Sequence, residues 1–322
     1  MISKAPIEFR PYLKSVIWGG NKICRYKGIE QPEPNIGESW EISAVPGHES
    51  VVASGPYEGL KLTELIDTFG EELLGKKVVE KYGKSFPLLV KIIDAADNLS
   101  VQVHPDDDLA RKRHNSLGKT EMWYIIETDP DAKIMAGLNR EMTPEEYEKR
   151  VADGKFAETL AVHDSKPGDV FFLPAGRVHA IGAGNLLAEI QESSDITYRI
   201  YDYDRRDAQG NTRELHTELA KDAIDYAVVE DYKSPRPADT DLKAEIVNCG
   251  HFTVSRYIVD GKAELNVDNE AFTVVMCLDG ETQCHHDHGE MTLRRGMTVL
   301  IPAASDNISF EGKATLLVAR PK

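Results

Sequence analysis

The chain has 322 residues, of which 41% are hydrophobic and 29% are charged, a composition typical of a soluble globular protein. Its 38 basic and 54 acidic residues give a formal net charge of -16. This acidic balance argues against general nucleic-acid binding, for which a basic patch is expected. An anionic ligand would therefore need a local cluster of lysine and arginine.

The four cysteines are scattered and form no CxxC pair, which favours reduced thiols over disulfides or a thiolate metal site. The amino-terminal segment has no apolar run long enough for a signal peptide. No stretch reaches the length of a membrane span. We therefore expect a cytoplasmic protein that has neither a membrane nor a nucleic acid as its partner.

The first half of the chain mixes strand-like and helix-like patterns. Gly70 and Gly75 interrupt a helical pattern over residues 62–82, which predicts two short helices there. Strands are predicted where apolar residues continue or alternate with polar ones, namely residues 37–45, the run that starts at Phe86, residues 100–104 and residues 118–127.

In the second half, the TPEE sequence at Thr143 predicts a capped helix over 143–155 that continues through 156–162. A strand, a turn and a strand follow, then a further alternating segment and a short helix, over residues 166–181, 184–205 and 214–226. The proline-containing segment 233–240 predicts a domain boundary before more strands. We therefore predict a mainly β protein with domains 1–235 and 236–322, the short helices being attached to the first.

One internal repeat relates the two halves. KPGDVFFLPAGRVHAI, which begins at Lys166, is similar to RRGMTVLIPAASDNIS, which begins at Arg294. The shared G-x(5)-P motif, followed by His179 in the first copy, resembles one half of the cupin signature and predicts two jelly-roll β-barrels. Asn307 replaces this histidine in the second copy, so we expect only the first barrel to hold a metal. The histidine-rich CHHDHGE at 284–290 is then interpreted as a solvated hairpin loop.

The strand SVQVH carries the first functional signal. Alternation places Ser100, Gln102 and His104 on one face. Unpaired polar groups are costly in a dry core, so these side chains need a common partner. A metal ion or a bound substrate is one interpretation, and a simply hydrated barrel face is the other.

Glu121 and His179 complete a candidate ligand set with Gln102 and His104. Nitrogen and oxygen donors without thiolate suit zinc, and also manganese, iron or cobalt. With one carboxylate, a single divalent ion per chain would keep a net positive charge and act as a Lewis acid.

Several cationic residues accompany these ligands and, with the metal, indicate a substrate that has vicinal oxygens at one end and a phosphate at the other. They are Lys91, Lys119, Arg199 and Arg205. Lys91 lies in an apolar strand, where a lysine either reaches the surface or binds an anion inside a cavity. Trp18 and Trp40 are interpreted as packing residues or as aromatics at the rim of a sugar site.

The chain resembles the type I mannose-6-phosphate isomerases, also called phosphomannose isomerases, of the short bacterial form in the cupin superfamily. The matching motifs are VQVHPDD, GKTEMWYII, LPAGRVHAIGAG and EIQESSDITYRIYDYDR. The resemblance implies zinc ligation by Gln102, His104, Glu121 and His179. It also implies substrate-site roles for Lys91, Lys119, Glu189, Asp195 and Arg199. We expect Lys119, Glu189, Asp195 and Arg199 to be catalytic, and Lys91 and Arg199, together with Ser100 on the polar face of its strand, to bind substrate or phosphate.

The implied reaction interconverts mannose 6-phosphate and fructose 6-phosphate through a cis-enediol, with a base moving a proton between carbons 1 and 2. Lys119 and Glu189 are both candidates for this base. Lys119 could instead be only a partner of Glu121, and Asp195 only a turn residue that orients Arg199. The alternative functions are an isomerase of another phosphosugar and a sugar-binding cupin without turnover. We expect a monomer or a weak homo-oligomer.

Overall fold

The computed structural model describes residues 1–207 and 209–322. Its strands are β1 (Ile7–Arg10), β2 (Tyr12–Gly20), β3 (Ile36–Ile42), β4 (Val51–Val52), β5 (Leu88–Ala95), β6 (Val101–Val103), β7 (Glu121–Thr128), β8 (Lys133–Leu138), β9 (Leu160–Asp164), β10 (Val170–Leu173), β11 (His179–Ile181), β12 (Asn185–Glu192), β13 (Tyr198–Tyr201), β14 (Lys233–Ser234), β15 (Lys243–Asn248), β16 (Phe252–Leu265), β17 (Thr273–His286), β18 (Gly289–Arg294), β19 (Thr298–Ile301) and β20 (Ile308–Pro321). The helices are α1 (Lys22–Lys27), α2 (Leu62–Phe69), α3 (Glu71–Leu74), α4 (Lys76–Tyr82), α5 (Asp107–His114), α6 (Pro144–Ala152) and α7 (Thr217–Ala223). The predicted mainly β fold with short helices is confirmed.

Over the described residues, the strands form three sheets. The central sheet has the order β14-β10-β7-β12-β5-β3-β2, and the second has the order β13-β6-β11-β8-β9. The third has the order β15-β16-β20-β17-β19-β1-β4, with β18 beside β17. In these pairings each sheet is open at both ends, so the jelly-roll architecture consists of facing sheets and not of closed barrels.

The central sheet is covered on both faces. One face packs on the second sheet through a core that includes Trp123, Phe171 and Ile134. The other face packs on α2–α4 and on the third sheet through a larger core. Every residue of β5 and β12 is buried, which explains why β5 is a continuous apolar run rather than an alternating one.

Two local predictions need correction. The segment 62–82 forms three helices, because the chain breaks at Gly70 and again at Gly75. Gly75 has a φ of +96°, and a Cβ there would lie 2.5 Å from the backbone of Glu270, so this break needs glycine. The predicted helical continuation through 156–162 is limited to a 3-10 turn at Phe156–Thr159, after which β9 begins. The Thr143 cap is confirmed, since its hydroxyl accepts the Glu146 amide at 3.2 Å.

The internal repeat has a structural counterpart. Gly168 and Gly296 both have positive φ, and each is followed by a four-residue strand, β10 or β19. CHHDHGE spans the β17–β18 hairpin, with His286 opposite Gly289. The predicted solvated loop is limited to the turn at Asp287 and His288, because residues 284–286 belong to β17 and Cys284 is buried. The third sheet also takes in β1 and β4 from the amino-terminal part of the chain. The boundary between 235 and 236 falls between β14 and β15 and stays a prediction.

Among the described residues, no helix is long and apolar enough to cross a membrane.

Candidate metal centre and substrate cavity

Strand register brings the predicted ligands together from two facing sheets. On β6, Gln102 pairs with His179 of β11 on one side and with Arg199 of β13 on the other. His104 directly follows β6, and Glu121 is the first residue of β7 in the central sheet. Because the two sheets pack face to face, side chains from both meet in the space between them.

Three of these side chains converge closely. His104, Glu121 and His179 each offer one ligand atom, and these atoms lie within 4.8 Å of one another. Glu121 Oε1 is 3.3 Å from His179 Nε2, and Glu121 Oε2 is 3.6 Å from His104 Nε2. Gln102 Nε2 lies 3.3 Å from the same His179 nitrogen. The two histidines and Glu121 are at most 2% exposed.

Backbone carbonyls orient both imidazoles. His104 Nδ1 lies 2.8 Å from the carbonyl oxygen of Ile196, and His179 Nδ1 lies 2.9 Å from that of Arg177. Each Nδ1 must carry the proton to donate such a bond, so each Nε2 keeps its lone pair on the side of Glu121.

The atoms of this cluster suit a divalent cation. His104 Nε2 and both carboxylate oxygens of Glu121 are buried and have no hydrogen-bond partner among the described residues. Lys119 Nζ is 3.1 Å from Glu121 Oε2, which gives charge attraction without hydrogen-bond geometry. Unsatisfied buried polar atoms are costly, and a bound cation would satisfy all three. Rotating the Gln102 amide by 180° would turn its oxygen toward the same point.

Burial sets the protonation of these groups. It lowers the pKa of His179 to about 4 and that of His104 well below 6.5. Burial raises the pKa of Glu121 to about 7, against the opposing effect of the Lys119 ammonium. Both imidazoles are therefore neutral at pH 7, which is the form that binds metals.

A second buried network lies beside the cluster. Lys91, Glu189 and Trp123 are cross-strand neighbours on β5, β12 and β7. Lys91 Nζ is 3.1 Å from Glu189 Oε2 and 3.0 Å from Gln191 Oε1, and Trp123 Nε1 donates to Glu189 Oε1 at 3.2 Å. Burial opposes ionisation of Glu189, but Lys91 and Lys119 outweigh it and lower the pKa of Glu189 to about 2. Glu189 is thus an ionised carboxylate with a fixed orientation.

Lys91 is only 6% exposed, so the interpretation that it reaches the surface is wrong. It lies instead on the wall of a cavity of about 430 Å³ between the sheets. Other predicted residues also line this cavity: Trp18, Trp40, Ser100, Gln102, Lys119, Glu189, Asp195 and Arg199. Both tryptophans are nearly fully buried and therefore serve as packing residues that also form the cavity wall.

Arg199 differs from Arg205 and Arg213 in having a donor available. Its Nη1 donates to the Glu214 carbonyl at 2.9 Å, while its buried Nε has no hydrogen-bond partner among the described residues. Arg205 and Arg213 are both held by the Asp202 carboxylate at 2.5 Å. Arg205 does not line the cavity. Arg199 is therefore better suited than Arg205 to contact an anionic substrate.

Asp195 is exposed at the cavity rim. In the described part of the chain, its carboxylate makes no hydrogen bond to Arg199.

Sequence reasoning missed part of the wall. Glu38 Oε2 accepts the Trp40 indole N–H at 2.7 Å, and Lys14 Nζ is 3.4 Å from Glu38 Oε1. Lys14 and Glu38 are cross-strand neighbours on β2 and β3. The alternation in GESWE, which places Glu38 on the same face as Trp40, is the signal that could have identified Glu38.

Comparisons with known proteins agree along the whole chain. Residues 7–150 match the family described as phosphomannose isomerase type I, catalytic domain, and residues 243–321 match the mannose-6-phosphate isomerase cupin domain. Mannose-6-phosphate isomerase ManA of Bacillus subtilis is 36% identical over 317 residues, which cover 98% of each chain. Mannose-6-phosphate isomerase of Streptococcus mutans is 35% identical over 318 residues, again 98% of each chain.

Solved structures show the same fold. The crystal structure of mannose 6-phosphate isomerase from Bacillus subtilis superposes with a TM-score of 0.88 at 34% identity, covering 98% of this chain and 99% of that one. The apo form of the Salmonella typhimurium enzyme superposes with a TM-score of 0.79 at 16% identity, covering 100% of both chains. At that identity the second likeness concerns the fold alone.

Proposed function

The chain belongs to the type I family of mannose-6-phosphate isomerases, and on this premise we propose that the cavity between the central and second sheets is its active site. The chain is an aldose-ketose isomerase of mannose 6-phosphate and fructose 6-phosphate. The observation that carries the site is the convergence of three buried ligand atoms within 4.8 Å. The domain division at 235/236 assigns every proposed site residue to the first domain.

The metal proposed for this centre is one zinc ion per chain, held by Gln102, His104, Glu121 and His179. The donor set supports zinc because two imidazoles, a carboxylate and an amide oxygen suit this borderline cation, as they also suit manganese, iron and cobalt. When bound, the ion acts as a Lewis acid toward the oxygens on carbons 1 and 2 of the sugar.

Arg199 is proposed to stabilise the negative charge that develops on the enediolate. Its position beside Gln102 on adjacent strands puts it near the proposed metal end of the cavity. A charged donor at a developing oxyanion contributes several kcal/mol in a site that excludes water. Lys91 and Ser100 form the wall along which the phosphosugar would lie, and Asp195 lies at its rim.

Two residues can carry the proton between carbons 1 and 2. The pKa of Glu189 is lowered by Lys91 and Lys119 despite burial, which makes this carboxylate a weak base. Lys119 lies beside Glu121 and also lines the cavity. Because the charged Lys119 has no lone pair with which to accept a proton, we keep Glu189 and Lys119 as joint candidates for the proton carrier, and Glu189 also holds Lys91 in place.

Paired variants test this assignment. Glu121→Ala should lose bound metal and turnover together, because it removes the only carboxylate of the ligand set. Arg199→Met should keep one metal per chain and lower kcat about 10²-fold, the size of one lost transition-state donor. Arg205→Met is the matched control and should stay within about threefold of the unaltered protein, since kcat depends on contacts at the reacting oxygens.

The measurements are elemental analysis of the purified protein and a coupled assay of fructose 6-phosphate formation, with and without chelator. A panel of hexose and pentose phosphates checks the substrate. Normal turnover in Glu121→Ala or in Arg199→Met would remove that residue from the site.

A further inference from the structure

A partly buried histidine–carboxylate pair joins the third sheet to the end of β12 in the central sheet, beside the start of β7. His251 lies in the turn between β15 and β16, and its Nδ1 is 2.8 Å from Glu192 Oε1. Glu192 is the last residue of β12 and is only 4% exposed. The side chain of His251 is 28% exposed, so the imidazole reaches solvent while the Glu192 carboxylate is buried.

The second oxygen of this carboxylate holds the backbone between two active-site residues. Glu192 Oε2 accepts the amide N–H of Thr120 at 2.7 Å, and the Glu192 amide donates to the Thr120 carbonyl at 3.0 Å. Thr120 lies between Lys119 and Glu121 in the sequence. The orientation of Glu192 therefore affects the backbone positions of Lys119 and Glu121.

A neighbouring carboxylate holds the same segment from its other end. Asp107, the first residue of α5, accepts the Gly118 amide through Oδ1 at 2.8 Å. A Cβ on Gly118 would lie 2.6 Å from the backbone of Asp107, so the segment is closely packed there. Asp107, Glu192 and His251 are near enough to one another to hold a metal. However, both carboxylates already accept backbone amides, so we interpret the trio as a support for residues 118–121.

We propose that His251 is a positioning residue which, through Glu192 and the Thr120 amide, holds Lys119 and Glu121 in place. This inference rests on the proposed function, in which both residues act at the reacting end of the sugar. Without the imidazole donor, a buried carboxylate oxygen loses its partner and turns toward water, which lengthens its bond to Thr120. Displacing catalytic groups by about 1 Å can cost about 10²-fold in rate.

The test compares His251→Leu with His251→Asn, whose amide nitrogen can replace the Nδ1 donor. His251→Leu should lower kcat about 10-fold or more, because a displacement of Lys119 and Glu121 of less than about 1 Å is enough for a loss of this size. KM should change less than about twofold, since positioning acts on the transition state. His251→Asn should restore kcat to within about threefold of the unaltered protein, because it restores the hydrogen bond.

Tyr26→Phe is the matched control. The Tyr26 hydroxyl donates to the Leu278 carbonyl at 2.7 Å, so this variant loses another buried bond to the third sheet without touching the site. Its kcat should be unchanged. An equal loss of kcat in Tyr26→Phe, a normal kcat in His251→Leu, or failure of His251→Asn to restore kcat would each overturn the proposal. If His251→Leu does not fold, Glu192→Gln is measured in its place. A normal kcat in Glu192→Gln would overturn the proposed positioning role.

A measurement independent of turnover separates this inference from the proposed function. Hydrogen exchange of a peptide spanning 118–122 should be faster in His251→Leu than in the unaltered protein, and Asn should restore the protection. Unchanged exchange in His251→Leu would refute the positioning role even if the protein is fully active. If the unaltered protein does not isomerise mannose 6-phosphate, the proposed function fails, and the exchange result still decides the role of His251.

Discussion

Binding of zinc at the proposed centre should release one proton between pH 5 and pH 7, and that proton should come from Glu121. Burial raises the pKa of Glu121 to about 7. Burial also lowers the pKa of His179 to about 4 and that of His104 well below 6.5. His179 is therefore already neutral over this interval, the pKa of His104 is displaced in the same direction, and the carboxyl is the group that must lose a proton before it can ligate a cation.

The size of the effect follows from the raised pKa. Glu121 is protonated below pH 7 and ionised above it, so zinc affinity should rise with pH and level off above about pH 7. The apparent Kd should worsen about 10-fold per pH unit, or about 1.4 kcal/mol, and about 100-fold in total at pH 5. Two histidines with ordinary pKa values would instead give a two-proton slope below about pH 6.5.

The assay is a competition titration of the metal-free protein against a chromophoric zinc chelator at pH 5, 6, 7 and 8. Glu121→Gln is the control, because it keeps the shape of the side chain and removes the titrating group. Its zinc affinity at pH 8 should be about 10²- to 10³-fold weaker, because an equal share of roughly 10–16 kcal/mol among four ligands is about 2.5–4 kcal/mol. Its pH slope between 5 and 7 should be close to zero.

A two-proton slope in the unaltered protein, or a one-proton slope that persists in Glu121→Gln, would refute the reasoning. The first result would mean that the imidazoles are the titrating groups. The second would mean that a group other than Glu121 releases the proton.

Two stability predictions follow from the other buried pairs. Lys91→Met should lower the free energy of unfolding by about 3–5 kcal/mol in urea titrations, because it leaves the Glu189 carboxylate buried without the Lys91 ammonium. Combining Lys91→Met with Glu189→Leu should recover most of this loss, because the buried charge is then removed as well. A double variant as unstable as Lys91→Met alone would contradict this. Hydrogen bonding to Glu192 raises the pKa of His251, against the lowering effect of burial. The pair therefore stabilises the fold fully below about pH 6.5, and this stabilisation decreases as pH rises through the folded-state pKa of His251. The difference in free energy of unfolding between the unaltered protein and His251→Asn should therefore shrink from pH 6 to pH 9, and a difference that grows over this range would contradict the assignment.

Local sequence patterns predicted the elements that depend on local physics. Alternation identified β6, β7 and β12, since successive side chains of a strand point to opposite faces. The capped helix at Thr143 followed from hydrogen bonds within four residues. The spacing of glycine and proline in two segments identified the repeat that forms β10 and β19. The motifs also pointed to Gln102, His104, Glu121 and His179 as one set, although their ligand roles stay a prediction.

Strand register and long-range packing were decided only by the tertiary structure. Nothing near Gln102 in the sequence indicates that its neighbours across the sheet are His179 and Arg199, because register depends on how whole strands bury their apolar faces. The same holds for Glu38 and Lys14 on the cavity wall, which reach Lys91 and Trp40 through β2, β3 and β5.

The entry of β1 and β4 into the third sheet had no local signal either. His251 lies 59 residues beyond Glu192 in the chain, yet it donates to that carboxylate across the boundary between sheets. The sequence by itself determined which chemical groups and which strands this protein has. Only the packing of the complete core determined which of those groups face one another, because the energy of burial belongs to the assembled sheets and not to any one segment.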